Sequence, residues 1–178
     1  MRLRLWRRLA LWAGLMACGG AGAIQAVSEE RLKLAYLFNF AQFIEWPAEL
    51  MPPGSPLRLC LLGADPFGVE ADALTARRVR SHPIVVLRPT RISELQGCHL
   101  VYVSNLDAQG FSRNHEALRR TGMLVVSGDE GALRRGATIQ FVVQDKRLRW
   151  HLDHEQARNL GLTVSVKLVE LSLPPPAP

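Results

Sequence analysis

Three groups of residues carry side chains of a kind that could do chemistry. His151, Asp153 and His154 fall within four positions, and both residue types are zinc donors. A zinc centre needs three or four ligands, and no second donor cluster accompanies this H-x-D-H, so no metal is expected there. Ser127 with His99 or His115 has the types of a nucleophile and a base, but neither a G-x-S-x-G elbow nor any other hydrolase spacing links them. Ser127-Gly128-Asp129-Glu130-Gly131 is the nearest approach to a phosphate loop; its two carboxylates would repel an anion, and it reads as a turn. There is no Walker loop and no G-x-G-x-x-G, and Gly63-Ala64 stands where a phosphoryl-receiver domain would need paired acids. The expectation is a protein that is not an enzyme and takes no cofactor.

The remaining chemistry is recognition, and it concentrates in residues 32–47, L-K-L-A-Y-L-F-N-F-A-Q-F-I-E-W-P, which hold five of the twelve aromatics in the chain. At the helical period, Leu32, Tyr36, Leu37, Phe40, Phe43 and Ile44 share an arc of roughly 140°, the width of a core-facing stripe. Leu34, Phe38 and Ala41 form a second apolar patch among Lys33, Gln42 and Glu45. Leu34 and Phe38 are the candidate surface for a protein partner or for self-association, with cover by another element as the alternative. A groove near Tyr36, Asn39 and Trp46 is the candidate site for an apolar or aromatic ligand.

The ends of this helix are written in the sequence. Ser28 is an N-cap, Glu29 and Glu30 complement the positive end of the dipole, and Val27 with Leu32 forms a hydrophobic staple. Pro47 disfavours helix at Trp46 and stops the run.

Composition places the chain among globular proteins: 178 residues suggest one domain, with 48% hydrophobic and 21% charged residues. The formal charge of +6 is misleading. Arg2, Arg4, Arg7 and Arg8 precede an apolar run at residues 9–17, a charged region and a short hydrophobic one, as in a secretory signal occupying residues 1–23. Ala21-Gly22-Ala23 predicts cleavage after Ala23; the alternative is Leu15-Met16-Ala17-Cys18, which resembles a lipobox and would leave Cys18 as a lipidated N-terminus. Removing residues 1–23 takes away four arginines and no acid, leaving 18 basic and 16 acidic residues, a net +2. So balanced a charge argues against nucleic-acid binding. With Cys18 removed or lipidated, Cys60 and Cys98 remain, either paired in an oxidising compartment or as two buried free thiols.

Short apolar strands are predicted at residues 57–62, 83–87, 98–103 and 123–127, with helical pieces at 69–76, 91–96 and 112–120 between them. This is the pattern of a parallel sheet covered on both faces. Residues 137–143 and 147–152 alternate around Gln144-Asp145-Lys146 as an antiparallel hairpin extending one edge. A helix capped by Asp153 follows at 153–160, then an apolar helix at 164–171 and a disordered Pro-rich tail at 174–178. The fold class is α/β: a Rossmann-like layered sandwich within residues 24–173, in which the first and third strands are neighbours.

The helix A-Y-L-F-N-F-A-Q-F-I-E-W-P, the strand L-R-L-C-L-L-G with D-P-F-G, the later V-V-S, Cys98 ahead of the third strand and G-L-T-V-S-V-K-L-V-E-L together resemble the YfiR family of exported bacterial proteins. The resemblance spans about residues 28–173. It implies a periplasmic α/β domain without known catalysis, whose best-known member represses a membrane-bound diguanylate cyclase and so lowers cyclic di-GMP and biofilm formation. It also implies a disulfide at Cys60 and Cys98. That member's second, later bridge has no counterpart here, because no cysteine follows Cys98. Where family members usually show Asn near the end of the last sheet strand, this chain has Asp153.

The functional expectation is a periplasmic regulatory protein that restrains a membrane-bound diguanylate cyclase or another inner-membrane signalling protein, with a homodimer as a second association. The alternative is a periplasmic small-ligand sensor acting with a receptor or histidine kinase.

Overall fold

Short apolar runs, too short for helices of their own, form the central strands of a seven-stranded sheet. The computed structural model describes residues 28–105 and 115–176. Five strands run parallel: β2 (Leu57–Gly63), β4 (His82–Leu87), β5 (Leu100–Ser104), β6 (Leu124–Ser127) and β7 (Ile139–Gln144). At one edge β8 (Arg147–Leu152) pairs antiparallel with β7, and at the other the two-residue β3 (Arg78–Val79) pairs antiparallel with β4. The order across the sheet is β3-β4-β2-β5-β6-β7-β8. The first parallel strand lies between the second and the third, a doubly wound order that sets Cys60 opposite Val101.

Successive side chains point to opposite faces of a strand, and both faces here are covered. Leu59, Leu61, Leu100, Tyr102, Leu124, Val126, Ile139 and Phe141 belong to the thicker core. It is closed by α1 (Glu29–Phe43), by α2 (Val69–Asp72) with its 3-10 continuation at Ala73–Ala76, by α4 (His154–Asn159) and by α5 (Val166–Leu171). Cys60, Leu62, Val101, Val103 and Val125 belong to a smaller core. Single turns cover that face: 3-10 segments at Ile92–Leu95 and Leu133–Arg135, and α3 (His115–Leu118). The layered α/β sandwich with a C-terminal antiparallel hairpin is the fold class the sequence predicts.

Three elements escape the sequence pattern. After Phe43 the chain turns extended, and β1 (Ile44–Glu45) pairs with β9 (Thr163–Val164), tying the end of α1 to the start of α5. Pro47 forbids helix just beyond, and fully buried Ile44 continues the core stripe into this bridge. β3 is the second, and the split of the helix predicted at residues 69–76 into an α turn and a 3-10 turn is the third. Asp153 caps α4 by accepting from Gln156 N at 2.8 Å.

β2 and β5 approach so closely at their ends that a Cβ on Gly63 would lie 2.0 Å from Ser104 O, at a φ of +92°. Only glycine fits there. The predicted signal at residues 1–23 with Ala23 and Cys18, the staple residue Val27, residues 112–114 of the predicted helix and residues 177–178 lie outside the described residues. Among the described residues no helix is long and apolar enough to cross a membrane.

Candidate functional site

α1 begins as its sequence dictates, with Ser28 Oγ accepting from Arg31 N and Glu29 and Glu30 in the first turn. Its buried arc, however, is rotated relative to the predicted stripe. Leu34, Leu37, Phe40, Ala41 and Ile44 face the sheet, whereas Leu32 is 39% exposed. Leu34, expected on a partner surface, is 7% exposed and belongs to the core, which corrects that expectation. Phe38 is half-buried against the same core, with the Arg77 guanidinium 3.9 Å from its ring centroid. The helix needs two apolar faces because it spans the sheet. One flank meets the β3 edge, where Gln42 Nε2 donates to Arg78 O and Arg80 pairs with Glu45. The other meets β7 and β8, where the Tyr36 ring lies 4.9 Å from Trp150 and 6.1 Å from Phe141.

The three residues of the predicted ligand groove are dispersed. Tyr36 is half-buried in the aromatic cluster with Phe40, Phe141 and Trp150, and Asn39 is exposed. Trp46 is buried, its Nε1 donating to Gly122 O at 2.8 Å beside the His99 ring. None of the three lines the cleft of about 400 Å³ that opens between the first turns of α1 and the ends of β6 and β7. Glu29, Lys33, Gly128, Glu130 and Gln140 supply its polar lining, and Phe141, Val142, Val143 and Leu148 its apolar wall. Lys33 Nζ lies 2.6 Å from Glu29, so the one cation is already paired.

The carboxyl ends of β2 and β5 mark the topological switch point, the usual ligand crevice of an open α/β sheet. Here D-P-F-G fills it. Asp65 Oδ1 accepts from Phe67 N at 2.8 Å and Gly68 N at 3.1 Å, folding the loop back on itself. Arg88 clamps the turn, donating to Asp65, Asp72 and Gly68 O. Burial pushes the Asp65 carboxyl up, but the hydrogen bonds from Arg88, Phe67 and Gly68 outweigh it and hold the group below the ordinary carboxylate range. Phe67 is thereby driven into the core, its ring 4.9 Å from that of Tyr102. Burial, reinforced by the charges of Asp129, Glu29 and Glu30, pushes the Tyr102 phenol up to about 12, so it stays protonated.

Cys60, Cys98, His99, Ser127, His151 and Asp153 each make a structural bond. The Sγ atoms of Cys60 and Cys98 are joined in a disulfide, with Cα atoms 6.0 Å apart, inside the smaller core. His151 Nδ1 donates to Pro174 O, which holds the start of the Pro-rich tail beside β8, and Asp153 is the cap of α4. Among the described residues no three His, Cys, Asp or Glu side chains converge as metal ligands. Leu124 N bonds to His99 O, so His99 stands at the amino end of β6 and Ser127 at its carboxyl end, about 10 Å apart along the strand. Ser127 Oγ is itself taken, accepting from Asp129 N. His99 Nδ1 accepts from Arg58 N at 3.1 Å and its Nε2 donates to Leu50 O at 3.2 Å, which fixes a neutral ring. Burial, with the charges of Arg58 and His82, lowers its pKa below the ordinary value.

Sequence reasoning overlooked the cleft and the Arg88 clamp, whose partners lie up to 23 residues away and carry no local signature. No curated protein matches the chain. The sequence profile described as YfiR/HmsC-like matches residues 30–173, four-fifths of the chain, and the chain belongs to that family.

Proposed function

We propose that this chain is a non-catalytic periplasmic regulator that binds and restrains a membrane signalling protein, a diguanylate cyclase in the first instance, and so lowers cyclic di-GMP. The observation that carries the reading is the YfiR/HmsC-like match over residues 30–173. Two further features support it. The apparent export signal agrees with the Cys60–Cys98 bridge, since disulfides persist in oxidising compartments. His99, Ser127 and Asp153, three of the residues considered for acid–base or nucleophilic chemistry, are held in structural hydrogen bonds.

The experiment is purification of the tagged protein with its membrane fraction. Enrichment of a diguanylate cyclase in proportion to the bait supports the reading, and its absence under mild detergent overturns it. A second reading, a small-ligand sensor acting with a receptor or histidine kinase, is favoured by the cleft between Lys33 and Phe141. A metabolite that raises the melting temperature in proportion to its concentration, an effect lost in Val143→Glu, supports that reading; no shift from any metabolite overturns it.

A further inference from the structure

We propose that the outer edge of β4 is a docking site for an extended, acidic segment of a partner protein, which adds to the sheet as a strand beside residues 84–87. The inference rests on the reading of this chain as a protein-binding regulator, but not on the identity of the partner.

The site begins with topology. On its inner edge, β4 pairs residues 84–87 with β2 in parallel. On its outer edge, β3 covers only His82 and Pro83, through Val79 and Arg78. The chain that would extend β3 along the rest of β4 has left the sheet as the 3-10 turn Ala73–Ala76, which packs over one face through Leu74. Among the described residues, nothing pairs with the outer backbone of residues 84–87. Backbone donors and acceptors in such a row are satisfied by water or by another strand.

The side chains suit a protein guest. Val85 is 37% and Leu87 40% exposed, on the face of the smaller core. A helix would normally cover this position, but the crossover that follows β4 is the single turn Ile92–Leu95, anchored by Leu95, and it stops short of the edge. Residues 84–87 are uncharged and free of proline, although Pro83 and Pro89 bracket them. Charges and prolines are what commonly blunt natural edges, and residues 84–87 carry neither.

Charge selects the occupant. Residues 73–93 contain five arginines and no acid. Arg80, Arg88 and Arg91 are paired with Glu45, with Asp65 and Asp72, and with Glu94. Among the described residues, no carboxylate pairs with Arg77 or Arg78 at one end of the open ladder, or with Arg58, which sits opposite Val85 on β2. A strand carrying carboxylates on alternate positions would face Arg58 and Arg78, which share the smaller-core face with Val85, while its backbone completes the ladder, the strand-addition mode of peptide recognition. Two copies of this edge would instead bring their arginines together. A lipid headgroup answers the charge but offers no backbone to the ladder.

The test uses the oxidised exported protein and a blocked heptapeptide alternating glutamate and valine, with the lysine–valine heptapeptide as its control. Binding is followed by fluorescence anisotropy, and hydrogen exchange locates it. The inference expects the acidic peptide to bind at least tenfold more tightly than the basic one and to protect amides within residues 84–87. Charge reversal in Arg58→Glu/Arg78→Glu should weaken binding at least tenfold. Arg78→Glu alone, at a side chain that donates to Ser81 O, serves if the double variant does not fold.

Equal binding of the two peptides, protection confined to β8, or no binding at millimolar peptide overturns the inference. So does phosphatidylglycerol-vesicle binding that depends on Arg78 without protecting residues 84–87, and so does self-association that Arg78→Glu abolishes. No cyclase enters this assay, so failure here leaves the regulatory reading to be judged by co-purification and cyclic di-GMP.

Discussion

Reducing the Cys60–Cys98 bridge isolates one contribution to stability whose size follows from the topology. The bridge spans 38 residues and closes a loop containing all of β4 and its two crossovers. In the chain-entropy model, releasing a loop of that length frees the unfolded state by about 4 kcal/mol. For a domain of this size each kcal/mol moves the melting temperature by roughly 2–4 °C, so reduction should lower it by about 8–16 °C. The urea midpoint should fall, and the m-value should rise because the unlinked denatured chain exposes more surface.

The assay compares equilibrium urea unfolding of oxidised protein with that of protein reduced under denaturing conditions and refolded with reductant. Thiol titration of the untreated, denatured protein should find none at Cys60 and Cys98. Two titrating thiols there would mean that these residues are free, and a stability change below about 1 kcal/mol would refute the assignment of the bridge to loop closure.

Leu34→Ala removes a nearly fully buried side chain from the sheet-facing arc of α1 and should cost about 3 kcal/mol, read as a urea-midpoint shift; a loss below about 0.5 kcal/mol would restore Leu34 to the surface. Gly63→Ala must push β2 from β5 and strain a left-handed backbone, so it should unfold the domain or lower its melting temperature by more than Leu34→Ala does; a neutral outcome would deny the close approach to Ser104. His99 is held neutral with its pKa below the ordinary 6.5, so the unfolded chain binds its proton more readily than the folded one. The associated stability is complete above pH 6.5 and is lost as pH falls through the lowered folded value. Melting temperatures at pH 7.5 and 5 should therefore differ more in the wild type than in His99→Gln, and equal pH dependence would contradict the neutral ring.

The parallel sheet was legible because β2, β5 and β6 are apolar on consecutive positions, as strands buried on both faces must be. The caps Ser28 and Asp153 were legible because their hydrogen bonds reach only three residues along the chain. The orientation of α1 was not. Its period is right, but with apolar residues on most of its circumference the sequence cannot choose between Leu34 and Leu32. The choice is made by Arg77 and β3 on one flank and Trp150 on the other, both remote in the chain. Tyr36, Asn39 and Trp46 were grouped by closeness in sequence, and the turn at Ile44 separates them: Tyr36 points to β8 and Trp46 to Gly122. The cleft and the open edge of β4 depend on which strands become neighbours, a property of the whole topology.

The most direct test of the regulatory account is the cyclic di-GMP content of the producing cell, measured by mass spectrometry with this gene deleted and then restored. The account predicts a rise on deletion, reversed by the exported protein and not by a form lacking residues 1–23. Unchanged cyclic di-GMP in the deletion strain would contradict it.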